Sequence, residues 1–175
     1  MPVMKYLISL LLLTLAACSS TKYYVVRHAE KATVTRDSAG MMTSNPPLSE
    51  AGKVRAFVLR DELKDARIRQ IFSTNTIRTI TTATPLSEHT GIPVQLYSTS
   101  KDSMDVFISR VKELKGNTLI VGHSNTVDEL VNKLTGRIEL PTDLQDGDYD
   151  NLFIVTRSGK NWKFERKKYG YPSNP

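Results

Sequence analysis

The sequence predicts an α/β fold: a three-layer sandwich with a mostly parallel sheet, helices on both faces and an antiparallel hairpin at one edge. Three observations predict it. Beyond about residue 20, short β-branched and aromatic runs alternate with segments of helical apolar spacing, the pattern of strand–helix–strand crossovers. The last two strand-like runs, Asn151–Thr156 and Trp162–Arg166, are separated by Arg157-Ser158-Gly159-Lys160-Asn161, which reads as a hairpin loop. Finally, Arg27-His28, Ser73-Thr74 with Arg78 close behind, and Gly122-His123 each follow such a run. Open α/β sheets place their ligand sites at the carboxyl ends of parallel strands.

Each element has its own signal. Lys22–Val26 forms the first strand, and residues 32–46 form a long polar loop with Gly40 and Pro46-Pro47. A loop of this length invites a role as a lid. Leu48-Ser49-Glu50-Ala51-Gly52 opens a helix with Ser49 as N-cap, and Val54, Phe57, Val58 and Leu63 supply its apolar face. Ile68–Ser73 is the second strand. A helix follows Arg78 and stops at Gly91, before Pro93. Val94–Tyr97 is a short strand, and Ser103 caps a helix through Val106, Phe107, Ile108, Val111 and Leu114. Thr118–Val121 is another strand, followed by a helix over Val127–Leu134 that ends near Gly136. The basic residues Lys163, Arg166, Lys167 and Lys168 fall on the outer hairpin strand, where charge discourages edge-to-edge pairing.

Residues 1–18 stand apart from this pattern. Lys5 is followed by an apolar stretch, Leu7 to Leu15, too short to span a bilayer comfortably, and the segment ends in Leu15-Ala16-Ala17-Cys18. This resembles the lipobox of bacterial lipoproteins, which implies a signal peptide over 1–18, lipidation of Cys18 and one domain over 19–175. Cys18 is the single cysteine, so no disulfide can form within the chain. The expected location is the cell envelope, with the chain tethered to a bacterial membrane and facing the periplasm or the exterior.

At 175 residues the chain is long enough for one domain with a substantial core. Its formal charge is +6, or +5 without Lys5 of the leader, which suits anionic ligands or an anionic surface. No arginine-rich run or aromatic-interleaved basic patch suggests nucleic acid as a partner. No His-x-x-His pair or cysteine cluster suggests a metal, and no cofactor is expected. His89, near a helix C-terminus, reads as a surface residue that complements the helix dipole.

Two arginines and two histidines gathered at strand ends make a pocket for a phosphoryl group, with a histidine available to attack it. Four segments carry a family resemblance. They are Arg27-His28-Ala29, Pro47-Leu48-Ser49-Glu50-Ala51-Gly52, Ser73-Thr74 with Arg78-Thr79 and Thr82-Ala83, and Val121-Gly122-His123-Ser124-Asn125. In this order they resemble the histidine phosphatase superfamily, also called phosphoglycerate mutase-like, with Ala29 standing where the family commonly has glycine. The resemblance implies that His28 is a nucleophile carrying a transient phosphohistidine, while Arg27, Arg78 and His123 hold the phosphoryl oxygens. The arginines supply charge that a metal supplies elsewhere. The short chain favours a phosphatase over a mutase, acting on a phosphorylated small molecule or an envelope phosphate.

The proton donor to the leaving oxygen is the element that departs from the family pattern. Ser124 follows His123 where one branch has an aspartate. The other branch places an acid in the loop before the third helix, which selects Asp102, with Asp105 and Glu30 as further candidates. Two other functions fit parts of the sequence. One is a non-catalytic phosphate-binding lipoprotein of the same fold. The other is a serine acyl hydrolase, since Gly122-His123-Ser124-Asn125-Thr126 sits between strand and helix like a nucleophile elbow, with Thr126 replacing the final glycine. The substrate and the oligomeric state are left open.

Overall fold

The computed structural model describes residues 20–33 and 45–173. The expected signal peptide and Cys18 lie outside the described residues, as does most of the 32–46 loop. Six strands, β1 (Thr21–Arg27), β2 (Ile68–Ser73), β3 (Val94–Leu96), β4 (Asn117–Gly122), β5 (Asn151–Ser158) and β6 (Asn161–Lys168), form one sheet in the order β3-β2-β4-β1-β5-β6. The first four pair in parallel, and β5 and β6 add an antiparallel edge. Four helices, α1 (Glu50–Leu63), α2 (Ile77–Thr90), α3 (Lys101–Glu113) and α4 (Val127–Thr135), fill the connections.

Strand alternation builds the three layers. On β1, Tyr23 and Val25 face a core shared with Phe107 and Val111 of α3 and Leu130 and Leu134 of α4. Tyr24 and Val26 face the opposite core, with Leu59 and Leu63 of α1 and Ala83 and Leu86 of α2. Residues i and i+2 of a strand share a face, so one apolar run serves both helix layers.

Two elements differ from the sequence reading. The buried stripe of α1 is Gly52, Arg55, Ala56, Leu59 and Leu63, whereas Val54 and Phe57 are about half exposed. The inward stripe includes an arginine because it pairs with Glu30, so hydrophobic spacing placed Val58 and Leu63 against the core but Val54 and Phe57 on the wrong side. Helix α3 begins at Lys101 with Ser100 as its N-cap, and Ser103 lies in the first turn, where it accepts a hydrogen bond from the Ser100 hydroxyl at 2.8 Å. Ser49 does cap α1, accepting from the Gly52 amide at 3.1 Å.

Helix α2 is rich in threonine, a weak helix former, and carries Pro85 in its interior. Thr81, Thr82, Thr84 and Thr90 return their hydroxyls to carbonyls four residues back. Burial of Thr79, Thr82, Ala83, Pro85 and Leu86 secures the helix, whose first turn carries Arg78.

Candidate active site

The site is assembled from the ends of β1, β2 and β4 and the start of α2. Arg27 is paired with Gly122 across the β1–β4 ladder, and the His28 amide donates to the Gly122 carbonyl at 2.9 Å. His28 and His123 therefore sit side by side, with ring centroids 5.4 Å apart and the ring planes 68° apart in an edge-to-face arrangement. Gly122 is required between them. A Cβ there would come within 2.9 Å of the Thr126 hydroxyl, which accepts the His123 amide at 2.9 Å.

Backbone and threonine contacts fix both imidazoles. His28 Nδ1 lies 2.7 Å from the Ala29 carbonyl, an acceptor, so Nδ1 carries the proton and Nε2 keeps a free lone pair. His28 is 3 % exposed, and desolvation, followed by the neighbouring cations, pulls its pKa down to about 3. His123 Nε2 lies 2.8 Å from the Thr74 hydroxyl, which itself donates to Thr79. Nε2–H therefore donates to Thr74, and Nδ1 faces Arg78 Nη2 at 3.3 Å. Burial, then Arg78 and Arg27, lowers the His123 pKa to about 4. Both rings are neutral at pH 7.

The guanidiniums are held differently. Arg27 is 2 % exposed. Its Nη1 donates to the Gln145 and Asp146 carbonyls at 2.7 and 2.9 Å, and its Nη2 reaches Asp146 Oδ1 at 3.3 Å. The ring of Tyr149 lies 4.2 Å beneath its centre. Arg78 projects from the first turn of α2, and its Nε and Nη1 are buried without a hydrogen-bond partner among the described residues, as is Arg27 Nε. Ala29 is fully buried, its amide donating to Thr82 of α2 at 3.0 Å, so a methyl is accommodated where the family commonly has glycine.

These side chains line a cleft of about 610 Å³ together with Lys31, Pro46, Thr99, Ser124, Asn125, Thr126 and Asp146. The geometry thus brings together Arg27, His28, Arg78 and His123. It does not bring in Asp102, which lines a separate groove with Leu96, Val106 and Phe107 beside α3. Asp105 is paired with Lys133 at 2.6 Å. Glu30 is held by Arg55 through bonds of 2.6, 2.9 and 3.0 Å and points away from the cleft toward α1. Sequence reasoning missed Asp146 and Tyr149. Their segment, Gln145-Asp146-Gly147-Asp148, carries turn residues, but no periodicity reveals that it folds back onto β1. Among the described residues, no three metal-ligating side chains come together.

Comparison with known proteins agrees with this picture. The model of the histidine phosphatase superfamily (branch 1) matches residues 23–103, a span that includes Arg27, His28 and Arg78 and ends before His123. The first three of the four motifs lie within that span, and the fold is like that of solved histidine phosphatases. The protein histidine phosphatase SixA, solved with tungstate, is 15% identical with a TM-score of 0.61, over 84% of this chain and 96% of that one. The ecdysone phosphate phosphatase of Bombix mori, also with tungstate, is 14% identical with a TM-score of 0.58, over 89% and 94%. A mycobacterial glucosyl-3-phosphoglycerate phosphatase is 12% identical with a TM-score of 0.56, over 89% and 100%. No curated protein matches the sequence.

Proposed function

We propose that this protein is a phosphomonoester hydrolase that works through a phosphohistidine on His28 and is anchored outside the cytoplasm by lipid on Cys18. One observation carries the catalytic reading. A neutral imidazole with a free Nε2 sits on the floor of a cleft beside Arg78, whose Nε and Nη1 are buried donors without a partner. A buried donor left unsatisfied is costly, and a tetrahedral oxyanion satisfies several at once. That two solved relatives of this fold hold tungstate agrees with such a pocket.

In the proposed reaction, Nε2 of His28 attacks phosphorus in line, the ester P–O bond breaks, and the leaving oxygen takes a proton. Water then attacks the phosphohistidine and returns the nitrogen lone pair. Arg27 and Arg78 stabilise charge on the equatorial oxygens. A preorganised donor of this kind contributes about 3–4 kcal/mol in the transition state. His123 is held neutral by burial and two cations, and an entering dianion reverses the second influence. With Nε2–H held by Thr74, His123 can then take a proton on Nδ1 and donate through that nitrogen to a phosphoryl oxygen.

The lipid anchor rests on the Leu15-Ala16-Ala17-Cys18 motif. The serine hydrolase reading loses support, because His123 Nε2 is committed to Thr74 and offers Ser124 no base there. Purified protein should hydrolyse nitrophenyl phosphate and be inhibited competitively by tungstate. Tungstate binding without turnover of any ester would favour the non-catalytic phosphate-binding alternative.

A further inference from the structure

We infer that Asp146 is the general acid that protonates the leaving oxygen. This rests on the phosphomonoesterase reading above. Among the described residues lining the cleft, Asp146 is the one carboxylate. Its side chain is 86 % exposed at the mouth, whereas His28 is 3 % exposed at the floor. In-line displacement places the leaving oxygen opposite the attacking Nε2, toward the mouth. The Asp146 carboxylate is already next to the phosphoryl site, with Oδ1 3.3 Å from Arg27 Nη2 and 3.8 Å from Lys31 Nζ.

The backbone fixes this position. The Gln145 and Asp146 carbonyls both accept from Arg27 Nη1, the guanidinium stacks on Tyr149, and the Asp148 carboxylate accepts the Gln145 amide at 3.2 Å. The loop between α4 and β5 is thereby tied to the strand that carries the nucleophile. A phosphate monoester arriving on Arg27 Nη2 as its monoanion displaces the carboxylate from that donor and passes it the phosphoryl proton, which leaves Asp146 as a carboxylic acid beside the ester oxygen. As Nε2–P forms and P–O breaks, the electron pair goes to the ester oxygen, which takes the proton of the Asp146 carboxyl and departs as an alcohol. In the second half, the Asp146 carboxylate takes a proton from the attacking water. The P–N bond breaks, His28 regains its lone pair, and inorganic phosphate leaves with Asp146 protonated again. The sequence reading pointed to α3 for this role, but Asp102 lines a different groove.

The test compares Asp146→Asn with wild type on nitrophenyl phosphate and on an alkyl phosphate such as glycerol phosphate. A nitrophenolate leaves with little protonation, whereas an alkoxide needs a proton. The alkyl ester should lose about 10²–10⁴-fold in kcat/KM, the aryl ester less than about tenfold, and Asp146→Glu should recover part of the alkyl activity. The Asp146→Asn variant should also lose the limb of the alkyl-ester pH profile that reports the acid. Equal losses on both esters with an unchanged profile would mean that Asp146 merely positions Arg27, and would overturn the assignment. So would a leaving-group-dependent loss in Asp102→Asn with Asp146→Asn silent. If the wild type turns over neither ester, the phosphomonoesterase reading itself fails.

Discussion

At the residue scale, the site depends on keeping two imidazoles neutral with opposite tautomers. Each proton is placed by one acceptor, the Ala29 carbonyl for His28 and the Thr74 hydroxyl for His123. Their pKa values lie at about 3 and about 4, below the ordinary 6.5, because burial penalises the charged ring. The sign follows directly. A lowered value keeps the ring deprotonated as pH falls from 8 to 5, so the His28 Nε2 lone pair that the proposed reaction needs stays free over that whole range. Imidazole nitrogen NMR should show His28 as the Nδ1–H form and His123 as the Nε2–H form, with neither titrating between pH 8 and 5. Added tungstate should raise the His123 value, because an anion offsets Arg78 and Arg27. A ring that protonates near pH 6.5 without ligand would contradict this electrostatic picture.

At the element scale, a single ion pair positions the segment after His28 against α1. Arg55 is 6 % exposed and binds the Glu30 carboxylate through Nε and Nη2, and the Tyr169 and Tyr171 carbonyls through Nη1 and Nη2 at 3.0 Å. One guanidinium thereby joins the segment after His28, the first helix and the chain beyond β6. Gly52 allows α1 to come this close, since a Cβ there would meet the Glu30 carbonyl oxygen at 2.2 Å. Removing one partner of such a buried pair leaves an uncompensated charge. Arg55→Met should destabilise the fold by about 3–5 kcal/mol in denaturant titration, whereas Phe57→Ser on the outer face should change it by less than about 1 kcal/mol. The reverse order would return Phe57 to the core face that hydrophobic spacing selects.

The same elements show what was legible in the sequence. Strands β2 and β4, the helix stops at Gly91 and Gly136, and the N-cap at Ser49 announce themselves by local chemistry: apolar runs, a glycine free to take the left-handed turn, a hydroxyl ahead of a helix. The cluster of Arg27, His28, Arg78 and His123 was legible because parallel strands end at a common rim. Arg55 was not, because a charged residue turns inward only when a distant carboxylate meets it. Asp146 was not, because a loop with no periodicity gives no sign of where it returns.

At the scale of the whole molecule, the start of β1 and the cleft lie at opposite ends of that strand, and the proposed anchor on Cys18 precedes the start in sequence. In the register with β5, Thr21 pairs with Arg157 and Val26 with Leu152, so the chain enters the sheet far from Arg27. With lipid on Cys18, the tether before Thr21 is Ser19-Ser20, and extended chain spans at most about 3.6 Å per residue. The cleft should therefore face away from the membrane and accept soluble phosphates. A spin label at Ser100→Cys, on the exposed loop beside Thr99, should be shielded from a lipid-soluble relaxant in liposome-anchored protein. Strong relaxation would place the cleft against the bilayer.

The central claim is covalent chemistry at His28, and acid–base lability tests it most directly. Protein quenched during turnover of a phosphorus-labelled ester should carry label on His28 that is lost in acid and stable in base. His28→Ala should carry none and should lose at least about a hundredfold in kcat while keeping its fold. Label that persists in His28→Ala, or turnover of that variant within a factor of about ten of wild type, would contradict the account.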